Sequence, residues 1–340
     1  MASCLGALQT RRFRRTITVL VALAFSVTTI VFLVNRFEPG SALSTIGRTK
    51  EPSSVVTSGA KLPLCSDIEG AGHNSTRPTT WREKADTKFA DLLDDKFTIA
   101  LSTFHRPKEL KRTLNILLKN PRATPQNMAF PSATESPRDS LNEKLWPDSK
   151  YRTKAILLSD DDVFYRPEDL EFVFHMWRKF GKDRLTGALG RCASLTRNGE
   201  WNYNFCSQRE HEDVYALILT NLAFTHISFL DYYFSDDPAV TKIRDYVDKT
   251  FNCEDIALNF VASMLTGSGP LLVRGRHQYV NLDPAGGISR QSGHMEARSK
   301  CLNVFADAFQ CMPLMNETGR IEHGLKHNVW YKSLWDVIRG

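Results

Sequence analysis

Several features that mark common functional classes are missing from this 340-residue sequence. No two of its seven cysteines have CxxC spacing, so we expect no structural zinc site. It has no basic stripe with interleaved aromatic residues, and part of its net charge of +6 lies in one N-terminal arginine cluster. We therefore expect no nucleic-acid partner. No internal repeat is visible. With 42% apolar and 24% charged residues, the chain is long enough for one large catalytic domain and an anchor.

Residues 16–34 form an apolar run without a charged residue, close to the length of about 20 residues that a membrane-spanning helix needs. Four arginines precede the run and only Arg36 follows it closely. This asymmetry predicts a cytosolic tail at residues 1–15, a transmembrane signal anchor at 16–34 and a luminal remainder. A cleaved secretory signal is the alternative, and it also delivers the domain to the secretory lumen. We expect a single-pass type II protein of the Golgi or ER membrane.

A luminal location would allow two modifications, disulfide bonds between cysteines and glycans on asparagines. Cys4 precedes the apolar run, whereas the other six cysteines would be luminal and can pair, although a buried free thiol is the alternative for any one of them. Asn74 and Asn316 lie in Asn-x-Thr sequons and are predicted glycosylation sites.

Residues 35–96 are interpreted as a stem and a lead-in helix. The first part is rich in Ser, Thr, Gly and Pro, as in a spacer that holds a domain away from a membrane. Thr80 and Glu83 have capping-box spacing. A helix after that cap would place Trp81, Ala85, Phe89 and Leu92 on one face.

Residues 97–340 are predicted to form an α/β catalytic domain. Strand patterns cover residues 97–103, 154–159, 186–190, 216–221 and 271–274, and helix patterns cover residues 107–118, 167–177, 238–251 and 254–265. Alternating strands and helices favour a largely parallel sheet flanked by helices, with ligands at the carboxyl ends of the strands. The stretch 120–137 has four prolines and no periodicity, and it is predicted to contain no strand.

Three segments carry candidate chemistry. Asp160, Asp161 and Asp162 directly follow a buried strand, where a hard divalent cation would relieve their repulsion; a solvated acidic turn is the alternative. Glu254 and Asp255 open a predicted helix, where simple capping would also explain them. The glycine-rich stretch 286–303 is predicted to be a substrate-covering loop ending in a helix. Its Arg290 or Arg298 could bind a diphosphate, unless the stretch is only a surface loop.

These three motifs occur in the order and spacing of a known family. Ala-Ile-Leu-Leu-Ser-Asp-Asp-Asp, Asn-Cys-Glu-Asp-Ile-Ala-Leu-Asn-Phe and Arg-Ser-Lys-Cys-Leu-Asn resemble the exostosin C-terminal-domain glycosyltransferases, which include the exostosin-like hexosaminyltransferases. The chain looks like a fungal or plant-like member with a shortened nucleotide-binding half. The resemblance implies a GT-A (Rossmann-like) fold, a manganese ion and a retaining transfer from a nucleotide sugar. The expected sugar is an N-acetylhexosamine, and the expected acceptor a glycan, glycoprotein or glycolipid.

The resemblance also assigns roles to individual residues. It implies metal ligands at Asp162 and Asp160, and a catalytic group of Asp255, Arg290 and Arg298. It implies a disulfide between Cys253 and Cys301. It places the nucleotide sugar against six residues, which are Thr103, Arg106, Asn142, Lys144, Asp160 and Asp161. Lys144 stands where the family has arginine, which keeps the charge but loses the planar fork.

One departure leaves alternatives open. The family has a Ser-Leu-Asn element, which residues 140–144 of this chain resemble, and a second strand before it. Here the proline-rich stretch 120–137 stands in the place of that strand. The chain could be a splice form or a mis-assembled gene product, or it could be a catalytically weakened or inactive Golgi protein that acts as a binding or partner module. A metal phosphoesterase is a further alternative, but the nine histidines show no two-metal spacing.

Overall fold

The computed structural model describes residues 62–67, 76–103, 106–119, 128–129, 139–206, 214–277, 279–282 and 292–324. Among these residues, no helix has the length and apolar character needed to cross a bilayer. The predicted anchor at 16–34 lies outside the described residues and stays a prediction, as do the tail before it and the glycan at Asn74.

The described residues form twelve short strands and seven α-helices. The strands are β1 (Leu93–Ser102), β2 (Met128–Ala129), β3 (Thr153–Asp160), β4 (Val163–Phe164), β5 (Thr186–Gly187), β6 (Gly190–Leu195), β7 (Trp201–Asn204), β8 (Leu217–Ile218), β9 (Leu222–His226), β10 (Leu271–Arg274), β11 (Val280–Asn281) and β12 (Arg320–Glu322). The helices are α1 (Thr76–Lys88), α2 (Pro107–Lys119), α3 (Pro167–Met176), α4 (Ile227–Tyr233), α5 (Pro238–Thr250), α6 (Glu254–Thr266) and α7 (His294–Phe309).

Seven strands form the main sheet in the order β12-β10-β5-β9-β3-β1-β2. Every neighbouring pair is parallel except the two that involve β9, which runs antiparallel to both β3 and β5. This confirms the predicted α/β class with a mostly parallel sheet flanked by helices. Two smaller sheets, β11-β4 and β7-β6-β8, lie outside it.

Strand β3 separates two hydrophobic cores. Its Ala155 and Leu157 pack with the aromatic cluster around Phe97, while Ile156 and Leu158 pack with the core that includes α4 to α7. Successive strand side chains point to opposite faces, so a continuous apolar run is what a strand covered on both sides requires. The polar residues that end this run therefore emerge at the edge of the sheet.

Some local expectations were wrong. The stretch 120–137 does contain a strand, because β2 pairs in parallel with β1 through Phe97↔Met128 and Thr98↔Ala129. Two residues are too few to produce an alternating pattern, so sequence periodicity could not reveal them. Helix α1 starts at Thr76, which places Thr80 inside the helix instead of at its cap. The strand expected at 216–221 is reduced to β8 (Leu217–Ile218), and β9 begins only after it, at Leu222.

Six cysteines of the described residues form three disulfides, as predicted from their number. The pairs are Cys65–Cys311, Cys192–Cys206 and Cys253–Cys301. The third is the pair that the family resemblance implied. It joins the residue before α6 to the middle of α7, and these two helices carry Asp255 and Arg298, two of the three predicted catalytic residues.

His226 ends β9 at the opposite edge of the sheet from Asp160, and its Nδ1 accepts a hydrogen bond from the Ser228 amide. Burial, assisted by Lys154, lowers the pKa of His226 from 6.5 to about 4. The folded state therefore binds fewer protons than the unfolded chain between these values. We expect stability to fall on the order of 2 kcal/mol as the pH drops through this window.

Urea unfolding at several pH values tests this expectation. In His226→Gln the stability should vary less between pH 6.5 and 4 than in the unchanged chain. His175→Gln is the matched control, since that side chain is 52% exposed. An unchanged slope in His226→Gln would contradict the assignment.

Candidate active site

The carboxyl ends of β1 and β3 lie side by side and are polar. Ser102 pairs with Asp160 in the parallel register, and the Asp161 amide donates to the Ser102 carbonyl at 3.0 Å. Thr103 and the acidic triplet therefore meet where parallel strands present ligand-binding groups. The sequence predicted this meeting point.

Asp161 is the inward-facing member of the triplet. Its carboxylate is fully buried, and its Oδ2 accepts a hydrogen bond from Thr103 Oγ1 at 2.7 Å. Arg106 Nη2 lies 2.7 Å from Asp161 Oδ1, an ion-pair contact without hydrogen-bond alignment. Burial raises the pKa of Asp161, with Thr103 and Arg106 opposing the rise. Asp161 thus anchors the turn, while its neighbours face outward.

Arg106 and Lys144 hold the two outer carboxylates. Arg106 Nη1 donates to Asp162 Oδ2 at 2.6 Å, and Lys144 Nζ donates to Asp160 Oδ1 at 2.8 Å. The side chains of Asp160 and Asp162 are 28% and 16% exposed. Both carboxylates therefore remain accessible to a ligand at the sheet edge.

Lys144 also contacts the second half of the site. Its Nζ lies 3.6 Å from Glu254 Oε1 at the start of α6, and its side chain is 9% exposed. Burial would lower the pKa of Lys144, but Asp160 and Glu254 outweigh this and raise it. Burial and the neighbouring Asp255 raise the pKa of Glu254, while Lys144 opposes the shift. One buried ammonium thus joins the acidic turn to the helix that carries Asp255.

Asp255 and Arg298 form a buried ion pair. Arg298 Nη2 donates to Asp255 Oδ2, Asp255 Oδ1 accepts from the Ile256 amide at 2.8 Å, and the two residues are 5% and 6% exposed. The guanidinium lies 4.4 Å from the centre of the Tyr203 ring, a cation–π contact. Burial would lower the pKa of Arg298, but Asp255 raises it above the ordinary value.

The pair is held from two sides. The disulfide between Cys253 and Cys301 links α6 to α7 next to the pair. On the other side, α7 bonds to the β7 backbone. Ser299 Oγ accepts from the Tyr203 amide at 3.0 Å, and Asn303 exchanges two hydrogen bonds with the Trp201 backbone. The side chains are therefore placed by the packing of two helices and a strand.

Not every predicted residue joins this cluster. Asn142 is buried, and its amide is used by Tyr233, the Arg244 carbonyl and Asp248, so its role toward a nucleotide stays a prediction. Arg290 lies outside the described residues, and Asn316 is exposed. Sequence reasoning missed Tyr203, which has no motif around it. Glu254 lay in a segment with candidate chemistry but was given no role of its own, and its contact with Lys144 could not be read from the sequence.

The carboxylate oxygens of Asp160 and Asp162 fit a divalent cation that is held jointly with a substrate. Among the described residues, no three His, Cys, Asp or Glu side chains converge into a complete metal cage. Asp160 and Asp162 offer accessible carboxylate oxygens, which hard cations such as Mg²⁺ and Mn²⁺ prefer. A cation bound through one or two carboxylates keeps positions for phosphate oxygens and water.

Comparison with known proteins identifies the family. Residues 106–325 match the glycosyl transferase family 64 domain. The chain belongs to this family. The match spans more than half of the chain and includes the acidic turn, α6 and α7.

Individual relatives carry related names. The chain is 28% identical over 267 residues to human Exostosin-2, covering 71% of this chain and 36% of that protein. It is 31% identical over 203 residues to glycosyltransferase family protein 64 C3 of Arabidopsis thaliana, covering 56% and 60% of the two chains. Glucosamine inositolphosphorylceramide transferase 1 of the same plant is 33% identical over 178 residues, covering 51% and 22%. The matched part is thus less than two thirds of each relative's length.

Replacing Lys144 tests the link between the two halves of the site. Lys144→Met should lower the free energy of unfolding by about 3 kcal/mol, because it leaves buried carboxylates without their counter-ion. Urea unfolding measures the change, with Lys150→Met on the exposed surface as the control. Adding Glu254→Gln should recover part of the loss. If the two substitutions were simply additive, Lys144 would not be coupled to Glu254.

Proposed function

We propose that the chain is a retaining, metal-dependent glycosyltransferase that moves a sugar from a nucleotide sugar to a glycan, glycoprotein or glycolipid acceptor. The observation that carries the proposal is that Lys144 contacts both Asp160 and Glu254. Lys144 joins the acidic turn, which is suited to a cation and a diphosphate, to helix α6, whose Asp255 pairs with Arg298 of α7. The expected fold type is GT-A.

The acidic turn would receive the diphosphate. Asp160 and Asp162 would hold Mn²⁺, which when bound supplies positive charge to the phosphates of the leaving group. Arg106 already lies 2.6 Å from Asp162. It would add a cationic group beside the phosphates, since a guanidinium can bind phosphate oxygens through two parallel hydrogen bonds.

Asp255 would orient the sugar and stabilise its developing positive charge. Its carboxylate is paired with Arg298 and accepts a backbone hydrogen bond at a helix N-terminus. These contacts stabilise the anion and weaken it as a nucleophile. We therefore favour front-face transfer, in which the acceptor attacks on the side that the diphosphate leaves. A covalent intermediate on Asp255 is the less favoured route.

The names of two relatives support a glycolipid among the proposed acceptors. Their names include a mannosyl transferase and a glucosamine transferase that are both described with inositolphosphorylceramides. For this chain we propose UDP-N-acetylhexosamine as the donor, with the domain in the Golgi or ER lumen behind an N-terminal anchor. The short strand β2 pairs with β1 in the place of the missing strand, which weakens one argument for an inactive binding module.

Two substitutions separate donor binding from chemistry. Asp162→Asn should weaken Mn²⁺-dependent UDP binding by about tenfold or more, as loss of a ligand charge reduces metal affinity. Asp255→Asn should keep UDP affinity within about twofold but lower kcat by about 10²- to 10³-fold, as loss of transition-state electrostatics does. Isothermal titration calorimetry and transfer of labelled sugar measure the two effects.

Asp183→Asn is the matched control, because that carboxylate is 45% exposed and pairs with Arg82. It should change neither quantity. No heat of UDP binding with Mn²⁺ in the unchanged chain would contradict the proposed donor site. Full turnover by Asp255→Asn would remove Asp255 from the chemistry.

A further inference from the structure

The connection between β10 and β11 is tied to one buried carboxylate. We name residues 275–277 and 279–282 the β10–β11 strap. Asp169, in the first turn of α3, is only 2% exposed. Its Oδ1 accepts from the Arg276 amide at 2.6 Å, and its Oδ2 accepts from the His277 amide at 2.9 Å. His277 Nδ1 lies 3.1 Å from the same Oδ2. One side chain thus anchors two consecutive backbone groups of the strap.

Close packing reinforces this anchor. A Cβ placed on Gly275 would lie 2.3 Å from both Cβ and Cγ of Asp169. Only a residue without a side chain allows the backbone to approach the carboxylate so closely. The fit therefore depends on both residues, and either one can be changed to test it.

The far end of the strap reaches the acidic turn. Strand β11 pairs with β4 through Val280↔Phe164 and Asn281↔Val163. The next amide, that of Leu282, donates to the carbonyl of Asp162 at 2.8 Å. The strap therefore fixes the backbone of the proposed metal ligand Asp162, while β1 holds the preceding residue, Asp161, through the Ser102 carbonyl.

We propose that Asp169 is a positioning residue that sets the direction of the Asp162 carboxylate through the β10–β11 strap. This inference rests on the proposed donor site. Asp169 does not contact the ligand; it acts through the chain of contacts from Arg276 and His277 to Leu282 and Asp162. Partners that orient metal ligands from behind affect affinity about 10- to 100-fold in other metal sites.

Asp169→Asn is the main test, because it keeps the shape but replaces one acceptor oxygen with a donor. We expect Mn²⁺-dependent UDP binding to weaken about five- to tenfold by calorimetry, near the lower end of such effects. KM for the donor should rise while kcat changes less than about threefold. The substitution weakens binding of the donor equally in the ground state and the transition state, and it leaves the Asp255–Arg298 pair unchanged. Hydrogen exchange should speed up at the Leu282 amide but not at the Asp160 amide, which is bonded to the Asn221 carbonyl.

Two further variants form a graded series. Gly275→Ala disturbs the same contact from the strap side and should reproduce the affinity loss. His277→Ala removes only the contact of the imidazole ring and keeps both backbone hydrogen bonds to Asp169, so it should fold even if Asp169→Asn does not. It should weaken UDP binding by about twofold, in line with one lost polar contact. Glu168→Gln removes a neighbouring exposed carboxylate and is the control.

The outcomes distinguish the inference from the proposed function. The positioning role is wrong if the unchanged chain binds UDP with Mn²⁺ but all three variants bind UDP as tightly as Glu168→Gln does. The three variants are Asp169→Asn, Gly275→Ala and His277→Ala. If the unchanged chain does not bind UDP, the donor site itself is wrong. Faster exchange at Leu282 together with weaker binding in His277→Ala and Asp169→Asn supports the positioning role.

Discussion

A single buried ammonium group holds the candidate site together. Lys144 comes from a short 3-10 helix and reaches both the carboxyl end of β3 and the first turn of α6. Without it, Asp160, Glu254 and Asp255 would bring several negative charges close together in a region of low dielectric constant. Lys144 therefore offsets the repulsion between the carboxylate at the end of β3 and the one that opens α6.

The two halves of the site have different mechanical support. Asp255 and Arg298 are held by helix packing, a disulfide and side chains that bond to β7. The acidic turn is held by backbone hydrogen bonds to β1 and to the β10–β11 strap. The proposed donor-binding half and the proposed catalytic half are thus supported by separate elements, which lets a substitution affect one without the other.

Much of the fold could be predicted from sequence because its signals are local. The run from Ala155 to Leu158 is apolar on both faces and is followed closely by three aspartates, which marks a buried strand with a polar carboxyl end. Pro107 and Pro238 mark helix starts that the structure confirms. Strand β2 could not be predicted, since two residues carry no period.

The parts of the site that sequence could not reveal depend on distant contacts. Tyr203 meets Arg298 only because Ser299 and Asn303 dock α7 onto β7. Asn142 matched a motif, yet its buried amide bonds to α5 and Tyr233. A motif fixes which residue stands at a position, but the direction of its side chain is set by neighbours that are far away in the chain.

The bridge from Cys253 to Cys301 has a consequence for how the protein matures. Residues on either side of it supply Asp255 and Arg298, so their mutual placement is completed by an oxidation step and not by packing alone. A chain synthesised under reducing conditions could build the sheet and its acidic turn while α6 and α7 still lack their covalent link. In such a chain the placement of Asp255 against Arg298 would depend on packing and on their ion pair alone, so reduction would loosen this half of the candidate site before the acidic turn.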